Sequence, residues 1–184
     1  LKRDGTIDKF MGDAVLAFWN APLDQPDHRE RALDAGLALI ERVKREDAAF
    51  IADGHPSIQI GVAIETGICS VGNFGSERRF DYTAIGSPVN RTARLESTTK
   101  KLGIPLVLGP GFAKGASMPV VQAGAFELQG FKGEVPVFTV PEMHKGMSRE
   151  KAVQNGEQSG GDPAMVDGSP LSPKTAPPDP APRN

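Results

Sequence analysis

A Gly12-Asp13 pair divides Gly5–Asn20 into two short runs, and no other feature constrains the fold as tightly. Two strands joined by a two-residue link that begins with Gly make a tight antiparallel hairpin. Glycine accepts the positive φ that the first central position requires. Asp13 then sits at the tip, on backbone that cannot wander, and Lys9 stands on the incoming strand. A fixed anion near a fixed cation suits a phosphate-and-metal platform. It equally suits a solvated hairpin with charges on its open face, since short motifs are weak evidence taken singly.

Downstream, a proline-punctuated loop over 20–27 feeds a helix expected from about Asp27 to Ile51. Ala32, Leu33, Ala35, Gly36, Leu39, Ile40 and Val43 recur there at helical spacing and form its expected inner face. The β-branched run 58–64 reads as a strand, 67–72 as its antiparallel neighbour and 80–85 as a further strand. Ser87-Pro88 reads as a hydroxyl N-cap followed by proline at the first helical position. That helix is expected to run to Leu102 and stop at Gly103. Val89, Thr92, Ala93, Leu95 and Leu102 form its expected inner face, with Asn90, Arg94, Ser97 and Lys101 on another. Short strands are expected over 104–108, 125–129 and 135–140.

The 184 residues suit one domain, 1–142, large enough for a real core. From 143 to 184 Gly, Pro, Ser, Asp, Lys and Gln dominate, and a disordered tail is expected. A net charge of −2 argues against a surface built to neutralise nucleic acid. The one cysteine, Cys69, excludes a disulfide within the chain and reads as an inert strand residue. No apolar run approaches the ~20 residues that cross a bilayer. His28, His55 and His144 lack ligand spacing, which argues against zinc. The chain opens on Leu1, and we expect a piece of something longer.

Three stretches become informative together: Lys9-Phe10-Met11-Gly12-Asp13, Tyr82-Thr83-Ala84-Ile85-Gly86, and Asn90-Arg91-Thr92-Ala93-Arg94. In this order they resemble the class III nucleotidyl cyclase catalytic domain, in its bacterial adenylate cyclase form. The resemblance runs from Gly5 to about Val140 and includes Phe131-Lys132-Gly133-Glu134. It implies an α+β fold with a ferredoxin-like βαββαβ core, an antiparallel sheet with helices packed on it, here without its first strand and helix. It also implies a head-to-tail homodimer with active sites at the seam, and two Mg²⁺ or Mn²⁺ ions per site acting on ATP.

Carried over residue by residue, the resemblance makes Asp13 a metal ligand, with its hard oxygen donor. Lys9 and Thr83 become the pair that reads the base. A lysine donor and a threonine acceptor complement the N1 acceptor and amino donor of adenine, and suit guanine poorly. Asn90 would orient the ribose, Arg94 would stabilise charge growing on the α-phosphate, and Lys132 would touch the triphosphate. Thr83 stands where many relatives have Asp, a variation known in a bicarbonate-responsive subgroup. Arg78 and Arg79 read as a solvated loop or an intersubunit salt bridge before phosphate contacts, and Phe18 and Trp19 read as packing residues.

The family's other metal-binding aspartate precedes the hairpin. Asp4 and Asp8 are poor substitutes: Asp4 precedes the strand, and alternation puts Asp8 on the face opposite Lys9. The chain alone is therefore expected to be inactive, while its parent cyclises ATP to cyclic AMP and pyrophosphate. That parent is expected to carry an upstream sensor, with this domain in the cytoplasm and a possible anchor in the inner membrane. The competing reading is a catalytically silent cyclase-like module that binds nucleotide or a partner. A diguanylate cyclase is not supported, because Met11–Val15 does not match that family's turn.

Overall fold

The computed structural model describes residues 3–76, 79–145 and 147. Its elements are β1 Thr6–Met11, β2 Ala14–Phe18, α1 His28–Ala52, β3 Val62–Ile64, β4 Ser70–Ser76 and β5 Arg79–Ile85. Then follow α2 Ser87–Glu96, α3 Thr98–Leu102, β6 Leu106–Leu108, α4 Pro110–Ala113, β7 Val121–Glu127, β8 Glu134–Thr139 and α5 Pro141–His144. A mixed four-stranded sheet runs in the order β3-β6-β8-β7, and β1-β2 and β4-β5 form two separate antiparallel ribbons. This is the expected α+β architecture, with helices packed on sheet.

Strand β6 shows how the centre is held. Successive side chains on a strand point to opposite faces. Leu106 and Leu108 accordingly join Ala32, Leu33 and Ile40 of α1, with Ile64 and Phe112. Val107 joins the opposite cluster with Leu95, Leu102, Ile104, Phe126 and Val137. Helix α1 thus covers one face of the sheet, and α2 with α3 covers the other. Gly36 lets α1 lie close to β3, because a Cβ there would stand 3.1 Å from Val62 Cγ1.

The hairpin forms as expected: Met11 pairs with Ala14 across Gly12-Asp13, and Gly12 has φ +65°. Helix α1 buries Ala32, Leu33, Gly36 and Ile40, whereas Leu39 is exposed. The expected strand over 58–64 shrinks to β3, and its neighbour is not the following segment. β3 pairs in parallel with β6, reached by way of α2 and α3, while β4 pairs with β5 in an unbroken register from Ser70↔Ile85 to Ser76↔Arg79. The two strands are near neighbours in sequence, so pairing them costs little loop-closure entropy.

The expected helix over 87–102 is two helices. Ser97, Thr98 and Thr99 each donate a side-chain hydrogen bond to the carbonyl three residues back, at 2.8, 2.6 and 2.7 Å. Such hydroxyls compete with the helical ladder, and the chain is divided at Ser97. Gly86, not Ser87, is the N-cap of α2, with no side-chain capping bond. Ala93 is exposed rather than inward, while Leu95 and Leu102 are fully buried. Gly103 ends α3 with φ 69°, its N–H donating to Thr99 O, as expected of a C-terminal glycine. Helix α5 crosses the boundary expected at 142, and Met143 packs on the core. The expected tail beyond 147 lies outside the described residues, as does Arg78.

Gly111 gives this packing a direct check. A Cβ there would collide with the backbone oxygen of Thr66 and come 2.5 Å from Glu65 Oε1. Gly111→Ala should therefore destabilise the domain by roughly 3 kcal/mol in urea denaturation; an unchanged midpoint would refute this contact.

Candidate active site

The local feature that builds the site is an irregularity in β1. Ile7 pairs with Ala17 and Lys9 with Leu16, so the register shifts and Asp8 is the extra residue of a β-bulge. Bulges re-aim side chains and break the two-residue alternation of a strand. Sequence alternation placed Asp8 and Lys9 on opposite faces; the bulge overturns that. The Asp8 carboxylate is 1% exposed and its Oδ1 lies 3.2 Å from Lys9 Nζ.

The other carboxylate oxygen reaches across to the second ribbon. Thr83 Oγ1 donates to Asp8 Oδ2 at 2.6 Å, and the Ala84 N–H donates to the same oxygen at 3.2 Å. Oδ1 is buried and has no hydrogen bond of good angle, leaving Lys9 as its electrostatic neighbour. Burial raises the carboxyl pKa, but the Thr83 hydroxyl, the Ala84 N–H and Lys9 together outweigh it and hold it below the ordinary value. Phe18 and Tyr82 pack with ring centroids 6.0 Å apart, adding an apolar contact between the same two ribbons. Trp19 packs against the core, so both aromatic residues serve packing as expected.

Lys9 and Thr83 are thus brought together through one carboxylate. The remaining candidates stand apart. Asp13 is exposed at the turn, Asn90 and Arg94 are exposed one turn apart on α2, and Lys132 is exposed before β8. Among the described residues no hydrogen bond or ion pair joins the side chains of these four to Lys9, to Thr83 or to one another. Nor does any group of three His, Cys, Asp or Glu among the described residues gather to hold a metal ion. Asp13 offers one hard oxygen ligand, so the described residues do not make up the two-ion site that the resemblance implies.

A group that sequence reasoning missed is Glu65, at the end of β3. Its side chain is fully buried, and Oε2 lies 3.1 Å from Arg91 Nη1. Oε1 accepts from the N–H groups of Thr66 at 2.8 Å and Phe112 at 3.0 Å. Gly109 and Gly111 leave the room it occupies. Arg91 in turn lies 4.9 Å over the ring of Phe131. This chain of contacts fixes α2, which carries Asn90 and Arg94, against the loop that carries Lys132. The signals available were an acidic residue directly after a β-branched run and the Gly109-Pro110-Gly111 triplet. Cys69 lies just before β4 rather than within a strand as expected; it is partly buried, and burial pushes its thiol pKa up.

The fold is a mixed α+β domain with helices packed on sheet, and comparison with known proteins gives its family. The adenylate and guanylate cyclase catalytic domain family matches residues 6–140, and the chain belongs to that family. Over 100 residues, 54% of this chain but 15% of the relative, it is 42% identical to adenylate cyclase 1 of Rhizobium meliloti. The chain therefore spans only a small part of the curated relatives it matches. Among solved structures it resembles the adenylyl cyclase CyaB from P. aeruginosa, with 31% identity and TM-score 0.65, covering 74% of this chain and 71% of that one. It resembles the guanylyl cyclase Cya2 with the same identity and TM-score, covering 74% and 70%.

The lowered carboxyl pKa of Asp8 has a definite sign. A group depressed in the folded state stabilises it fully above the unfolded value, here 3.8, and loses that contribution as pH falls through the folded value. Wild type should accordingly gain stability relative to Asp8→Asn as pH rises from about 2 to about 6, monitored by thermal melting across that range. A stability difference that does not change over the range would contradict the assignment.

Proposed function

We propose that this domain is the catalytic part of an adenylate cyclase, converting ATP to 3′,5′-cyclic AMP and pyrophosphate. The observation that carries the reading is the convergence of Lys9 and Thr83, distant in sequence, on the Asp8 carboxylate (3.2 and 2.6 Å). Relatives of both nucleotide specificities share the fold, so the choice of base must rest on side chains. Lys9 supplies an N–H donor to adenine N1, and the Thr83 oxygen accepts from the adenine amino group. Guanine offers the reverse pattern, and mispaired buried polar groups are penalised heavily.

In the reaction the ribose 3′-oxygen bonds to the α-phosphorus, the bond from that phosphorus to the pyrophosphate oxygen breaks, and the 3′-hydroxyl proton passes to water. Asn90 holds the ribose so that its hydroxyl lies in line with the leaving group. Arg94 places a guanidinium where negative charge accumulates on the α-phosphate, and Lys132 binds the triphosphate. Both α2 residues are exposed, which leaves them available to substrate. Asp13 is proposed to supply one ligand to a divalent Mg²⁺ or Mn²⁺ ion, whose chemistry is to neutralise phosphate charge.

We further propose that two domains pair head to tail, Lys9, Asp13 and Thr83 of one facing Asn90 and Arg94 of the other. Among the described residues no hydrogen bond or ion pair joins the two sets within one chain, which supports it. So do the exposed Phe10, Met11 and Val15 on the first ribbon and Phe80 on the second, which a partner would cover. As part of the same proposal, the domain works in the cytoplasm and takes its signal from a sensor elsewhere in a longer protein. The small share of each relative that is matched fits that arrangement, and no helix among the described residues is long and apolar enough to cross a membrane. A silent module is the weaker reading, because it has no need for Lys9, Asp13, Asn90 and Arg94 together.

Two experiments test this in the parent protein, assayed with ATP and GTP in Mn²⁺ or Mg²⁺. Lys9→Glu combined with Thr83→Cys should move preference toward GTP, by about tenfold or more in relative kcat/KM; an unchanged ratio would remove the base-reading pair. Mixing Asp13→Ala with Arg94→Ala protomers, each inactive alone, should restore roughly a quarter of wild-type turnover, since one mixed dimer arrangement carries an intact site. Absence of rescue would count against sites shared between chains.

A further inference from the structure

Nothing in the function proposed above assigns a task to Asp8, the one buried carboxylate on β1. We propose that Asp8 is the residue that sets purine specificity, by fixing which way the Thr83 hydroxyl hydrogen points and where the Lys9 ammonium stands. The inference rests on the reading of Lys9 and Thr83 as the pair that meets adenine.

A threonine hydroxyl has one hydrogen to give and lone pairs to accept with. Free to rotate, it offers either, and so tolerates the amino group of adenine or the carbonyl of guanine at the same position. In this site it is not free. Thr83 is 7% exposed, and its Oγ1 stands 2.6 Å from Asp8 Oδ2. An ionised carboxylate can only accept, so the hydroxyl hydrogen is committed to Asp8. The Ala84 N–H donates to the same oxygen, which holds the carboxylate in place from the backbone of β5. What Thr83 has left to show a ligand is lone pairs alone. An amino group meets them well; a carbonyl oxygen meets them with repulsion.

The second oxygen does matching work on Lys9. Oδ1 lies 3.2 Å from Nζ and has no hydrogen bond of its own. It restrains an ammonium on a long flexible stem whose side chain remains 44% exposed. A donor from Lys9 and an acceptor from Thr83 are then presented from a common anchor. The bulge makes this possible: in a regular strand, neighbours point to opposite faces, and Asp8 could not serve both partners. Asp8 acts through Lys9 and Thr83 and is a positioning residue.

The test measures equilibrium affinity of the parent protein for 3′-deoxy-ATP and 3′-deoxy-GTP, which cannot cyclise, by titration calorimetry. Wild type should prefer the adenine nucleotide. Asp8→Ala should reduce that preference by about tenfold, because the Thr83 hydroxyl regains its choice. Asp8→Asn, which keeps a carbonyl acceptor for Thr83 and Ala84, should stay within about threefold of wild type in the same ratio. Adding Asp8→Ala to Thr83→Val should lower the ratio by less than Asp8→Ala does in wild type, since only the part that runs through Lys9 remains; an undiminished drop would show that Asp8 does not act through Thr83. Should Asp8→Ala not fold, Asp8→Ser, one bond too short to reach the hydroxyl, gives the same readout. A variant that loses affinity for both purines equally, with the ratio unmoved, shows a merely structural role and overturns the inference. A wild type that binds neither nucleotide, or binds both alike, overturns the adenine reading and the inference with it.

Discussion

A single carboxylate, buried where two β-ribbons meet, organises the functional end of this domain. Asp8 leaves the ladder of its own ribbon at a bulge and accepts hydrogen bonds from Thr83 and Ala84 of the other. Breaking a buried charged hydrogen-bond set by removing one member typically costs about 3–5 kcal/mol, because the remaining members are left unpaired. The two ribbons belong to no common sheet, and this carboxylate and the Phe18–Tyr82 contact link them directly. Two residues expected to read a nucleotide base acquire a fixed geometry as a by-product of that joint.

Beneath it, the four-stranded sheet supplies rigidity. Its central strand β6 is buried on both faces, and α1 and α2–α3 press on it from opposite sides. A second buried carboxylate, Glu65, plays the corresponding part for the other half of the site. It ties the end of β3 to Arg91 on α2 and to the start of α4, and Arg91 reaches on to Phe131. The helix that displays Asn90 and Arg94 is therefore anchored from beneath, with its polar face left toward solvent. Each polar cluster is positioned by one acidic residue with several partners, and Lys9, Asn90 and Arg94 remain exposed.

Much of this was legible in the sequence where local chemistry decides. The Gly12-Asp13 turn, the stop at Gly103, the strand ending at Ile85 and most of the buried stripe of α1 follow from turn residues and periodicity, and they are found, Leu39 excepted. What alternation could not reveal is the bulge at Asp8, since one inserted residue reverses every inference about faces that depends on period two. The partner of β3 was likewise illegible, because β6 reaches it only after an intervening ribbon and two helices. The division of the second helix at Ser97 was written in three consecutive hydroxyl residues, whose competition for backbone carbonyls outweighed the helical pattern. Glu65 went unread because its role depends on glycines more than forty positions away.

The account turns on adenine meeting Lys9 and Thr83 of one domain while its phosphates meet Arg94 of a second. The most direct measurement is a structure of the protein soaked with a non-cyclisable ATP analogue. The account predicts the adenine edge against Lys9 and the Thr83 oxygen, the Asp8 carboxylate behind both, and the α-phosphate at Arg94 of the partner subunit. An adenine ring seated elsewhere, or phosphates held entirely within one chain, would contradict it.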